Sequence, residues 1–103
     1  MKKKLLFISD PIHLFKPTDT TSLMMLTAAS LGYQVFYSLV SDVYSKDDQT
    51  FCNMRELNFS INPTDNIDEH LNWYTEGPYS NNQLITNFDA TFVRNDPPFN
   101  MEY

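Results

Sequence analysis

The sequence predicts an α/β domain, a three-layer Rossmann-like arrangement with a mainly parallel sheet and a small antiparallel β excursion, on three observations. Leu5 to Ile8 and Ala90 to Val93 are short uncharged runs of apolar, β-branched or aromatic residues, the pattern of strands covered on both faces. Residues 5 to 39 read as strand, helix and strand, the spacing of a right-handed βαβ unit. Between Asp42 and Phe59 apolar and aromatic residues are interspersed among polar ones around a Lys46-Asp47-Asp48 turn, which predicts short antiparallel strands.

Each element has a local reason. Charged residues precede Leu5 to Ile8, and Ser9-Asp10-Pro11 ends that run because proline gives no ladder hydrogen bond. Ile12 to Thr18 has no clear period and is expected to loop over the carboxyl edge of the sheet. Asp19 or Thr20 is placed to cap a helix, since a short oxygen-bearing side chain satisfies an unpaired N–H of the first turn. Leu23, Leu26, Ala29 and Ser30, with Met24, Ala28 and Leu31 beside them, predict its broad apolar face, and Gly32 a left-handed cap. Gln34 to Leu39 is the second strand. Asn62 to Asn66 is a turn cluster, and Glu69 to Tyr74 is open between helix and strand. Gly77-Pro78 is expected to break the chain, Tyr79 to Asn82 to be loop, and Gln83 to Phe88 to form one helical turn before the last strand.

Composition bounds the function. At 103 residues the chain makes one domain, residues 1–103, with one core. Thirteen acids against seven bases give a formal charge of -6, which argues against a nucleic acid or an anionic membrane as partner. Lys2-Lys3-Lys4 precedes an apolar run too short for a signal peptide or a membrane span, so a cytoplasmic protein is expected. Cys52 is the sole cysteine and has no internal disulfide partner.

Arg94 is the strongest candidate for chemistry. It falls where the last strand leaves the sheet, stopped by Asp96-Pro97-Pro98, and carboxyl ends of strands in open α/β sheets face the ligand crevice. A guanidinium there is placed to hold an anion; the plainer alternative is a surface ion pair, for instance with Asp96. Asp10, at the end of the first strand, suits a cation or a phosphoryl group as in receiver domains, or simply a loop cap. Trp73, Tyr74 and Tyr79 read as a stacking platform or as core. His13, His70 and Cys52 lack metal-ligand spacing, and Gly32 and Gly77 do not form a phosphate-gripping loop.

Three stretches carry a resemblance. Arg94-Asn95-Asp96-Pro97-Pro98-Phe99 followed by Glu102-Tyr103, Ser9-Asp10-Pro11-Ile12, and Asp19-Thr20-Thr21 opening a helix that closes at Leu31-Gly32-Tyr33 resemble, in order, the N-terminal domain of bacterial glutathione synthetases. The resemblance implies a pre-ATP-grasp domain, with the ATP-grasp domain absent from this chain. It implies an enzyme that joins γ-glutamylcysteine to glycine, with ATP and magnesium required by the full-length enzyme and no cofactor held here. The chemistry that the resemblance implies is phosphorylation of the peptide carboxylate, followed by displacement of the phosphate by glycine's amine.

On this resemblance Arg94 binds the peptide substrate, and Lys16, Thr18 and Asp10 are secondary candidates, while Asp96, Pro97, Pro98 and Phe99 form a structural motif. Thr18 stands where the family often has lysine, with Lys16 two residues upstream as a substitute; Asn95 stands where a lysine is common, and Ser30-Leu31 replace common arginines. The 103 residues alone are expected to be inactive, an excised domain rather than a natural short protein, because Glu102-Tyr103 ends in mid-motif. Homo-oligomeric subunit contacts are expected. The rival is a non-catalytic binding or dimerisation module that uses aromatics between Phe51 and Tyr79.

Overall fold

The computed structural model describes residues 3–12, 15–16, 19–61 and 73–94. Its elements are β1 (Lys4–Ser9), α1 (Thr20–Ser30), β2 (Gln34–Leu39), β3 (Val43–Lys46), β4 (Gln49–Phe59), β5 (Tyr74–Leu84) and β6 (Ala90–Arg94), with single 3₁₀ turns at Val40–Asp42 and Ile85–Asn87. The expected βαβ unit is present: β1 and β2 pair in parallel from Lys4↔Gln34 to Ser9↔Leu39, and β6 pairs in parallel on the other side of β1.

The three-layer, mainly parallel sheet is not what forms. One mixed sheet runs β3-β4-β2-β1-β6 with β5 also paired to β4, and it curls into a half-barrel. The β2–β4, β3–β4 and β4–β5 pairings are all antiparallel, so antiparallel contacts dominate. The physical reason lies in β4. Asp47 and Asp48 both take positive φ, 53° and 62°, in a tight two-residue turn that sends the chain straight back along β3. That return continues for 11 residues, first along β3 and then beside β2, so the expected excursion becomes half of the sheet.

Alternation along the strands sorts the core onto two faces. Phe7, Val35, Tyr37 and Leu57 point to the face covered by α1, where Met25 and Leu26 meet them and Trp73 fills the far end. Leu6, Ile8 and Phe36 point the other way, and Cys52, Met54 and Phe88 close over them. Among the described residues α1 is the one α-helix, so this second face is sealed by the sheet's own curl and the 3₁₀ turn before β6.

The helix is rotated from the expected face. Thr21, Ser22, Met25, Leu26 and Ala28 are buried, whereas Leu23 is 37% exposed and Leu31 69%. Apolar residues run continuously from Leu23 to Leu26, so periodicity does not select one stripe. Asp19 is the N-cap, but its carboxylate accepts the backbone N–H of Lys16 at 2.9 Å and makes no cap bond to the first turn. The C-terminal end follows expectation: Gly32 has φ 92°, and Tyr33 N–H donates to Ala28 C=O while Gly32 N–H donates to Ala29 C=O.

β5 corrects another expectation, since it runs unbroken through Gly77, Pro78 and residues 79–82. Its one ladder is with β4, which leaves Pro78 without the need for an inward N–H. Gly77 packs so closely that an added Cβ would lie 3.3 Å from the Glu56 carbonyl. The helical turn expected near Gln83 to Phe88 is the 3₁₀ turn Ile85–Asn87. Of Glu69 to Tyr74, only Trp73 and Tyr74 are described; the turn at Asn62 to Asn66 lies outside the described residues.

Candidate functional site at the carboxyl edge

Parallel pairing fixes which residues share the rim. Ser9 is level with Arg94 on one side and with Leu39 on the other, so the ends of β6, β1 and β2 meet in one row. Asp10 follows directly on Ser9. Beyond the ends of β1 and β2 lies a crevice of about 360 Å³ lined by Ser9, Asp10, Pro11, Leu39, Val40 and Ser41. Ser9 is fully buried, and its hydroxyl donates to the Asp10 carbonyl at 2.9 Å.

Arg94 does not end a strand covered on both faces, as the sequence suggested. β6 ends the described sheet, half-buried, with Val93 65% exposed. Arg94 projects on the α1 side, the side of Phe92 and Phe7, whose rings stack at 5.1 Å. Its Nε donates to Thr21 Oγ1 at 3.4 Å, tying the guanidinium to the first turn of α1. Neither terminal nitrogen meets a described carboxylate, and Asp96, the alternative ion-pair partner, lies outside the described residues together with Pro97, Pro98 and Phe99.

The remaining candidates distribute as follows. Lys16 is exposed in the approach to α1, with its backbone held by Asp19. Asp10 shares the rim with Arg94 through the β1–β6 pairing. Thr18 lies outside the described residues. The structure thus places Asp10 and Arg94 at the same end of neighbouring strands and Lys16 on the loop that enters the helix.

Two features escaped the sequence reading. Thr21 stands at the start of α1 in contact with Arg94, and the next residue, Ser22, has its Oγ buried with no hydrogen-bond partner among the described residues. The quoted Asp19-Thr20-Thr21 triplet held that signal in part. The second is a network across β2, β4 and β5: Tyr37 donates to Glu76, Arg55 lies 3.8 Å from Glu76 and 4.3 Å above the Tyr79 ring, and Tyr79 donates to Asp42 at 2.7 Å. Burial first, and then the bond to Glu76, push the Tyr37 phenol well above the ordinary tyrosine range. Nothing in sequence spacing announces this cluster, because its members meet only through cross-strand register.

The aromatic platform divides as well. Trp73 is buried and stacks on Phe59 at 5.7 Å, with Tyr74 edge-on at 5.1 Å, whereas Tyr79 is 46% exposed under Arg55. No described helix is long and apolar enough to cross a membrane.

Comparison with known proteins agrees with the quoted motifs. A family model described as the prokaryotic glutathione synthetase N-terminal domain matches residues 3–103. The chain is similar to the glutathione synthetase of Neisseria meningitidis serogroup A, 34% identical over 101 residues that make up 97% of this chain and 30% of that protein. It is similar also to those of Ralstonia nicotianae, 35% over 109 residues, and Nostoc, 33% over 105, covering 97% of this chain in each case and 29% and 32% of those proteins. The chain therefore spans about 30% of the length of these relatives.

Proposed function

Because the chain belongs to the prokaryotic glutathione synthetase N-terminal domain family, we propose that it forms one wall of the peptide site of a ligase that joins γ-glutamylcysteine to glycine at the expense of ATP. The observation that carries this reading is Arg94: a guanidinium at the carboxyl end of β6, level with Ser9 and steadied through Nε by Thr21. A guanidinium oriented through one nitrogen keeps its outer pair as a fork for a carboxylate, and two parallel charge-assisted bonds fix both position and angle. Holding the acid still lowers the entropic part of the barrier to its activation. Asp10 at the same rim and Lys16 on the entering loop are secondary contacts in this reading, and Thr18 is a further candidate.

Neither glycine of the chain serves a phosphate loop of the Walker or dinucleotide type. Gly32 closes α1 and Gly77 packs under Glu56. In this reading residues 1–103 are the pre-ATP-grasp domain, and ATP and magnesium belong to an ATP-grasp domain of the full-length enzyme. The protein is proposed to work in the cytoplasm as a homo-oligomer.

In an enzyme of the relatives' full length, Arg94→Ala is expected to raise KM for γ-glutamylcysteine at least 10-fold while KM for ATP stays within about twofold. That loss is the size expected when a charge-assisted bond of about 1.5–3 kcal/mol disappears. Unaltered dipeptide kinetics would remove Arg94 from the site.

A further inference from the structure

The crevice at the carboxyl edge has one wall that the core does not hold. Val40 and Ser41 line it from the 3₁₀ turn Val40–Asp42, and none of the three residues of that turn is buried. Leu39 packs against the α1-side core and Val43 against the opposite one, so the ends of the turn are fastened. Between them the backbone closes a single bond, from Val43 N–H to the Val40 carbonyl. A turn without an apolar anchor of its own shifts easily, and any shift changes the width of the crevice.

The other side of the turn meets β4 and β5. Asp42 and Leu39 face a cleft of about 10 Å³ that Arg55 and Tyr79 close, room for about one water at most. There the Tyr79 hydroxyl donates to the Asp42 carboxylate at 2.7 Å. That hydroxyl is aimed by its neighbours: the Tyr79 ring lies 4.3 Å under the Arg55 guanidinium, Arg55 is 3.8 Å from Glu76, and Glu76 accepts the Tyr37 hydroxyl. Register brings them together, since Tyr37 is level with Arg55 and Arg55 with Tyr79, one cross-strand row that starts at the buried Tyr37. The bond to Asp42, foremost, raises the Tyr79 phenol above its ordinary range, which keeps it a donor through neutral pH.

On the reading of the carboxyl edge as the peptide site, we propose that Tyr79 is a positioning residue: through Asp42 it fixes the turn that walls the crevice, and so sets how tightly the dipeptide is held. The row thereby gives the antiparallel strands, which carry none of the candidate binding residues, a part in binding. A row that merely braced β5 against β4 would affect stability and leave substrate affinity alone.

The test is Tyr79→Phe in an enzyme of the relatives' full length, a change that removes one oxygen from an exposed side chain and leaves the ring under Arg55. KM for γ-glutamylcysteine is expected to rise about 3-fold or more, while kcat, KM for ATP and the urea midpoint stay near the parent's. Amide hydrogen exchange at residues 40–43 is expected to quicken. Asp42→Ala should raise the dipeptide KM equally, and the double variant should be no worse than either single one, because both changes break the same bond. An unchanged dipeptide KM in Tyr79→Phe, exchange at residues 40–43 that keeps the parent's rate, or effects that add in the double variant would each overturn the proposal. An unchanged dipeptide KM in Arg94→Ala removes Arg94 from the peptide site and leaves the Tyr79 result standing; a raised one there with no change in Tyr79→Phe keeps the peptide site and removes the role of Tyr79.

Discussion

The parallel half of the molecule, β2-β1-β6 with α1, and the antiparallel half, β3-β4-β5, are held together by different physics. In the first, Leu6, Phe7, Val35, Met25 and Leu26 are at most 1% exposed, and strand order puts the candidate site at one rim. In the second, β4 sends Cys52, Met54 and Leu57 into the core, but β5 is exposed or half-buried throughout and is held by its ladder to β4 and by contacts such as the Tyr37–Glu76–Arg55 network. Apolar burial is worth about 25 cal/mol per Å², whereas exposed ion pairs contribute about 0–1 kcal/mol, so the two halves are expected to differ in stability.

The largest effect is expected at Phe7, which is 1% exposed and stacked on Phe92. Phe7→Ala should cost about 3–5 kcal/mol in urea unfolding, the usual range for a buried ring. Phe51→Ala, at a half-buried ring in the arm, should cost less than half as much. Equal losses would erase the distinction between the halves.

A pH series probes the buried side of the antiparallel half. Cys52 is buried where β3 pairs with β4, and burial first, then the nearby Asp42 charge, push its thiol from 9.0 up to about 11. A raised folded-state value means that the contribution is complete below about pH 9 and is lost as pH climbs toward 11. Tyr37, also raised, adds its own alkaline loss above pH 10. Cys52→Val should therefore show a shallower fall in urea midpoint between pH 9 and 11 than the parent; parallel curves would show that the thiol is not held in this way.

The smallest effect is expected at Arg55. Its ion pair with Glu76 is long, 3.8 Å, and both side chains are about one-third exposed, so Arg55→Ala should cost about 1 kcal/mol or less, including the stacking on Tyr79. Raising salt should narrow even that difference, as measured in the same unfolding assay.

Much of the parallel half was legible because its signals are local. Leu5 to Ile8, the Gly32 cap and Gln34 to Leu39 each state their conformation within a few residues, and the parallel β1–β2 pairing was expected from them. The fold class was misread because the partner of β4 is set at long range. Residues 55–57 pair with β2 and 49–52 with β3, and no spacing in the sequence tells an 11-residue shared strand from two short ones. Gly77-Pro78 was read as a break for the same reason, since only an edge position makes proline acceptable in a strand. At the candidate rim, Arg94 and Asp10 were found as strand-end residues, while Thr21 emerged only once the helix was seen to turn it toward β6.

The clamp at the start of β1 bears on how the protein is made. Lys4 N–H donates to the Asp89 carboxylate at 2.7 Å, Asp89 N–H returns a bond to the Lys4 carbonyl at 2.8 Å, and β6 follows at once. A nascent chain that has emerged through Leu39 can already close β1 on β2, yet the far flank of β1 has to wait for Ala90. At ordinary ribosomal speed that interval is about 3–10 s. Throughout it, the first strand shows a bare hydrogen-bonding flank to its surroundings, and β6's arrival is what closes it.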